Sequence, residues 1–135
     1  MLFRSFKHFN VSEISLRENG TATPFESLEM DFKKGKYMQG YLSLLHCTGH
    51  LLQNEDIGID PKNEYSTGRT LYGFNLTPDE NDGGHFQLLR EGKLSLDVKL
   101  SEATTESVTM ICYLVYDSIM EIDRHGNVYY AGSAE

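Results

Sequence analysis

A chain of 135 residues, 39% hydrophobic with 8 Tyr and 7 Phe, is long enough for one domain with its own core and too apolar for low-complexity disorder. Its formal net charge of −8 argues against nonspecific binding to a phosphate backbone, where each contact depends on Lys or Arg displacing counterions. No run approaches the ~20 apolar residues that a membrane-crossing helix needs, so no membrane insertion is expected.

The first strand signal covers residues 6–17. Phe9 and Val11 share one parity while Ile14 and Leu16 share the other, which predicts a bulge near Ser12 and Glu13. Asn19-Gly20 ends the strand with a turn pair that tolerates positive φ. Residues 21–36 read as an irregular excursion with one short extended piece around 28–32. Lys33, Lys34 and Lys36 form a basic run that reads as a solvated turn around Gly35. Tyr37, Tyr41, Leu44 and Leu45 fall at i, i+4, i+7 and i+8 and predict one short amphipathic helix, in which Gly40 costs about 1 kcal/mol relative to alanine. Gly49 is expected as its left-handed cap, with His46 complementing the helix dipole.

Residues 48–68 are polar and punctuated by Gly49, Gly58, Pro61 and Gly68. So long a loop is usually functional, and Leu51, Leu52, Ile57 and Ile59 are its candidate interface residues. Residues 70–76 predict a strand with Tyr72, Phe74 and Leu76 on one face and Gly73 admitting close backbone approach opposite. Residues 77–84 predict a turn, and 86–90 one helical turn closed by Gly92. Residues 93–100 alternate cleanly, with Leu94, Leu96, Val98 and Leu100 inward. Residues 108–116, Val-Thr-Met-Ile-Cys-Tyr-Leu-Val-Tyr, are apolar or aromatic at nearly every position and predict a strand buried on both faces, with Met110, Cys112 and Leu114 in the core. Extended pieces at 118–123 and 128–130 follow. Strands without interleaved helices predict an all-β, antiparallel sandwich with one short helix and long loops.

Several patterns suggest chemistry only superficially. His46 and His50 flank Cys47 at i, i+4, but zinc needs three or four ligands, and His8, His85 and His125 lie in separate segments. A metal enzyme of cupin type, using His46, His50 and His85, is therefore the weakest of the functional readings. Counting a calcium loop from Asp79 puts Gly83 at the fifth position and Arg90 at the twelfth, where oxygen ligands are required. The sequons at Asn10, Asn19 and Asn75 carry no weight in a chain whose start is too polar for a secretory signal. Cys47 and Cys112 are expected as reduced, buried thiols. No phosphate loop or nucleophile elbow occurs. No catalytic, cofactor-binding or metal-ligating residue is assigned, and no cofactor is expected.

Three phrases carry a resemblance: Tyr41-Leu-Ser-Leu-Leu-His-Cys-Thr-Gly49, then Gly68-Arg-Thr-Leu-Tyr-Gly-Phe-Asn-Leu-Thr-Pro-Asp79, then His85-Phe-Gln-Leu-Leu-Arg-Glu-Gly-Lys-Leu-Ser-Leu-Asp-Val-Lys99. With His8-Phe-Asn-Val11 and the closing Val115-Tyr-Asp-Ser-Ile-Met-Glu-Ile-Asp-Arg-His-Gly-Asn-Val128, the chain resembles the hexon-like, double jelly-roll major capsid proteins of Polinton (Maverick) elements and adintoviruses, including endogenous copies in animal genomes. The likeness spans residues 6–130 and covers only the C-terminal jelly roll of a protein that normally carries two. It implies a single jelly-roll domain over 1–135, with its core in 6–130 and a disordered tail at 131–135. It also implies a structural role, assembly as a homo-oligomer (a trimer) or with other capsid subunits through the loops at 48–68 and 77–84, including Asp79 and Asp82, and a place in the virion. Without that likeness the expected location is intracellular, not secreted. The alternative is a domesticated standalone β-sandwich module that binds a protein or glycan, with Tyr37, Tyr41, Tyr65 and Tyr72 as aromatic surface.

Overall fold

The computed structural model describes residues 5–22, 26–76, 92–115 and 120–130. They form a β-rich fold with antiparallel sheets and a single α-helix among the described residues. The chain divides into two compact units, Met1–Thr105 and Glu106–Glu135.

In the first unit, strand β1 (Val11–Glu18) is central. One edge pairs along its length with β4 (Leu94–Leu100), from Val11 opposite Leu100 to Glu18 opposite Leu94. The other edge is shared by β2 (Thr21–Ala22) and β3 (Leu28–Glu29). The register against β4 shifts between Val11 and Glu13, so the expected bulge lies at Ser12. That extra residue lets Val11 and Ile14, of opposite parity, both enter the core. Asn19 and Gly20 take φ of 52° and 86° and close β1 onto β2 in a two-residue turn, as the dipeptide predicts. The strand begins later than expected because Phe9 and Asn10 also take positive φ, breaking the extended run before Val11.

Val11, Ile14, Leu28 and Met30 form one core cluster, with Phe32, Tyr72, Phe74, Leu96 and Val98 packed against it. Helix α1 (Met38–Cys47) buries Gly40, Tyr41 and Leu44; of its predicted stripe, Tyr41 and Leu44 are buried, Leu45 is half-buried, and Tyr37 precedes the helix as its N-cap. It ends in a paired cap: Gly49 N–H donates to the His46 carbonyl at 3.1 Å and His50 N–H to the Leu45 carbonyl at 2.9 Å, with Gly49 at φ 73°.

Two glycines mark close approaches. A Cβ on Gly40 would lie 2.6 Å from the Tyr65 hydroxyl and 2.7 Å from Met30 Sδ, and one on Gly73 would lie 2.5 Å from Cys47 Cβ and 3.2 Å from the Ser43 carbonyl. Gly73→Ala is expected to cost about 1–3 kcal/mol by overpacking, because helix backbone stands in the way. Gly40→Ala recovers about 1 kcal/mol of helix propensity and loses more to its buried neighbours. Urea midpoints followed by circular dichroism check both, and a Gly40→Ala protein as stable as the wild type would show that Tyr65 and Met30 move aside freely.

Four expectations are corrected. Residues 71–76 form no ladder; Tyr72 and Phe74 still face the core, but the local pairing is a parallel bridge between Phe6 and Arg69, and Thr70 N–H donates to Phe6. Leu100 ends β4 at 40% exposure, beyond the reach of the core that takes Leu96 and Val98, while Leu94 is half-buried. Residues 108–115 enter no ladder, and Met110 (56% exposed), Leu114 (55%) and Cys112 lie in solvent rather than in a core. High strand propensity there meets no neighbouring strand among the described residues. Cys47 is also exposed, and neither thiol is in a disulfide. The turn at 77–84, the helical turn at 86–90 with His85, and the tail at 131–135 lie outside the described residues.

The second unit holds an antiparallel hairpin of β5 (Met120–Ile122) and β6 (Val128–Tyr130). Asp123 organises its loop by accepting from the backbone N–H groups of His125 (2.7 Å) and Asn127 (2.9 Å) and from Asn127 Nδ2 (2.7 Å). These bonds, the Asn127 side chain first, hold its carboxyl below the usual aspartate range.

Candidate interaction surfaces

The polar stretch after α1 is tightly folded rather than a free loop. Asp60 precedes Pro61 and accepts from the backbone N–H groups of Lys62 and Asn63, both at 2.8 Å, starting a wide π-helical turn over Pro61–Tyr65. Those backbone bonds, Asn63 first, hold the Asp60 carboxyl below its ordinary range. The turn drives Tyr65 wholly out of solvent, where its hydroxyl donates to the Leu71 carbonyl at 2.9 Å. Its own carbonyl accepts from the buried Thr70 hydroxyl at 2.6 Å. Tyr65 meets Tyr41 edge-on at 5.4 Å, and the Tyr41 hydroxyl donates to Ile59 at 3.0 Å. Arg69 closes the loop with Glu64 at 3.4 Å and the Gly58 carbonyl at 3.3 Å.

This packing sorts the four expected interface residues. Ile57 and Ile59 pack onto the Tyr41, Leu44 and Tyr65 cluster and serve their own domain. Leu51 (42% exposed) and Leu52 (96%) face solvent just past the helix cap and remain available to a partner. Asp79 and Asp82 lie outside the described residues. Of the four tyrosines offered as binding surface, Tyr41 and Tyr65 are core, Tyr72 is packed against it, and Tyr37 is half-buried in the stack His8–Phe32–Tyr37–Tyr65.

His8 stacks flat on Phe32, ring centres 4.1 Å apart, and its Nδ1 accepts from Asn10 N–H at 2.9 Å, an arrangement that suits the neutral ring. Partial burial lowers its pKa accordingly. His50 bonds the Thr48 carbonyl through Nδ1 at 2.8 Å, and Cys47 Sγ lies 3.8 Å from the Phe74 carbonyl. No group of three or more His, Cys, Asp or Glu side chains among the described residues is arranged to hold a metal ion.

A polar groove of about 510 Å³ lies against β1, lined by Glu13, Ser15, Arg17, Ala22, Glu26, Ser27, Glu29 and Gln39. Arg17 pairs with Asp97 at 2.7 Å and Lys99 with Glu13 at 2.6 Å, while Gln39 Oε1 accepts from Glu29 N–H at 2.8 Å. The bond from Lys99 is the chief reason that the Glu13 carboxyl sits below its usual range. Sequence reading missed this groove, because its residues are scattered from 13 to 39. The only signal was alternation along β1, which predicts Glu13, Ser15 and Arg17 on one face.

No helix among the described residues is long and apolar enough to cross a membrane. An uncharacterized protein of Caenorhabditis elegans is 26% identical over 121 residues, which cover 88% of this chain but 29% of that relative. The chain thus spans under a third of the length of the curated relative that it matches. No family model matches the chain, and no solved structure matches it.

Proposed function

We propose that this chain is a structural, capsid-type protein: a single jelly roll resembling the C-terminal half of a double jelly-roll major capsid protein, self-associating without catalysis. The observation that carries the reading is apolar side chains in solvent on strand-forming sequence. Ile111, Tyr113 and Val115 are 76%, 89% and 77% exposed, and hairpin β5–β6 exposes Met120, Ile122, Val128 and Tyr129. Large apolar side chains left in solvent in such numbers are the kind of surface that a partner covers. An isolated two-stranded hairpin is at best marginally stable, so cover from another subunit would stabilise it. The order of sequence phrases supplies the family, and the antiparallel β architecture is compatible with it. The virion is the location that follows from this reading.

Light scattering on the full chain over a range of concentrations tests it. A trimer or a larger ring is expected, and a strict monomer at high concentration would overturn self-association.

The groove on β1 favours a second reading, a domesticated standalone module that binds a protein or glycan. Its size is within the range of ligand sites, and its acidic lining suits a cationic peptide better than an apolar ligand. Capture of a Lys-rich peptide that is lost in Glu29→Lys would support it; equal capture by both proteins would sink it.

A further inference from the structure

Asn19-Gly20 is the one Asn-Gly pair in the sequence. Asparagine before glycine can convert itself, because no side chain shields the glycine nitrogen from the neighbouring carboxamide carbon. The Gly20 nitrogen attacks Asn19 Cγ, the new N–Cγ bond closes a cyclic imide, and the Cγ–Nδ2 bond breaks to release ammonia, which carries off the Gly20 proton. Water then opens the imide, its hydroxyl adding to one carbonyl carbon and its proton returning to nitrogen. Opening at Cγ leaves aspartate, and opening at the main-chain carbonyl leaves isoaspartate. Water is the only reactant that the chain does not supply.

The fold holds the two reacting groups apart. The turn at Asn19 and Gly20, with φ of 52° and 86°, sends Gly20 into β2 on one edge of β1. The carboxamide is tied to the opposite edge, where β4 lies. Lys93, one residue before β4, donates its N–H to Asn19 Oδ1 at 2.9 Å, and its carbonyl accepts from Asn19 N–H at 2.9 Å. Gly92 marks a third close approach: a Cβ there would lie 2.7 Å from Asn19 Nδ2, 3.0 Å from Oδ1 and 3.2 Å from Cγ. The amide is thus seated against a bare glycine and bonded to the next residue, on the far side of β1 from the nitrogen that would attack it.

We infer that Asn19 is a self-modification site kept shut by the start of β4: the imide closes only when the amide leaves Lys93, and isoaspartate makes that opening permanent. Asn19 and Gly20 are both exposed, so water reaches the imide as soon as it forms. Aspartate can resume the turn and accept from Lys93 N–H as the amide did. Isoaspartate adds a main-chain carbon to a turn built for two residues, and the turn and the reciprocal pair with Lys93 are lost together. The modification unfastens the Glu18–Leu94 end of the β1–β4 ladder in one direction, at a rate set by how often that end frays. The inference stands apart from self-association and needs no partner.

The test is peptide mapping by mass spectrometry, with isoaspartate-specific methylation, of the full chain incubated at mildly alkaline pH as wild type, Gly92→Ala and Lys93→Pro. Circular dichroism follows the fold. Expected are slow conversion of the folded wild type and far faster conversion in urea. Gly92→Ala, whose methyl displaces the amide from Lys93, should convert roughly fivefold faster than the folded wild type, the effect of one lost hydrogen bond, with its circular dichroism unchanged. Lys93→Pro removes the donor, keeps the carbonyl and puts proline where a strand can begin, so it decides the matter should Gly92→Ala loosen the whole unit. Folded wild type that converts as fast as the chain in urea overturns the inference, as do both variants converting at the wild-type rate. An isoaspartate form whose amides at 93–95 exchange as slowly as before overturns the one-way opening.

Discussion

Tyr65→Ala is expected to remove about 3–5 kcal/mol of stability, the range for truncating a large buried aromatic. A small domain has only about 5–15 kcal/mol in total, so much of the first unit's margin would go. The side chain has no exposed surface, anchors the edge-on contact with Tyr41, and joins the loop after α1 to the segment at 71–76 through the Leu71 carbonyl. Conservative variants separate packing from hydrogen bonding. Tyr65→Phe keeps the ring and strands the Leu71 carbonyl, which costs about 0.5–1.5 kcal/mol. Tyr72→Phe carries the opposite expectation, because the Tyr72 hydroxyl is buried with no hydrogen-bond partner among the described residues. Removing a hydroxyl already stripped of water without compensation is neutral or stabilising by about 1 kcal/mol. Urea denaturation of the three variants decides it, and a Tyr72→Phe protein less stable than Tyr65→Phe would refute the assignment of these two hydroxyls.

High pH is the second large effect. Burial pushes the phenol of Tyr65, and likewise that of Tyr72, well above the usual tyrosine value. In the unfolded chain both lose their protons near pH 10, whereas the folded chain keeps them. The folded state then binds more protons, so stability is intact below about pH 10 and falls above it, by about 1.4 kcal/mol per pH unit for Tyr65 alone. The expected result is cooperative alkaline unfolding in which tyrosinate absorbance and loss of circular dichroism coincide. Tyr65→Phe should flatten the slope by one proton. Tyrosinate forming fully in a still-folded protein would show that neither ring is sealed from water.

Local rules made much of the first unit legible in the sequence. The parity switch at Ser12, the Asn19-Gly20 turn, the stripe of α1, the cap at Gly49, the approach at Gly73 and the alternation of β4 from Leu94 to Val98 each depend on a few neighbouring residues and emerged as expected. The turn inside the loop at 48–68 was not foreseen, because a π-helical turn has no apolar period to betray it. Asp60-Pro61 was the available clue, an N-cap residue followed by proline at the first helical position. Pattern also could not tell how residues 108–115 are covered: continuous apolarity states that a strand requires neighbours on both faces, not which chain supplies them. The interface candidates divided for a similar reason. Ile57 and Ile59 pack on the cluster around Tyr65 while Leu51 and Leu52 face solvent, a division that composition alone does not encode.

The pairing of β1 with β4 has a consequence for how the molecule is born. Arg17 and Asp97 meet across 80 positions of sequence, so the central strand leaves the ribosome seconds before its longest partner, at ~5–20 residues per second. Until then β1 has only the short local strands β2 and β3 along its other edge, and half its backbone bonds await water or a stranger. Closing so distant a contact is slow, because the loop entropy is lost before the ladder repays it. The charged partners along that late edge, Glu13 and Arg17, keep one face of the waiting strand hydrated. The residues that pin the finished sheet thereby also guard the nascent one against premature pairing.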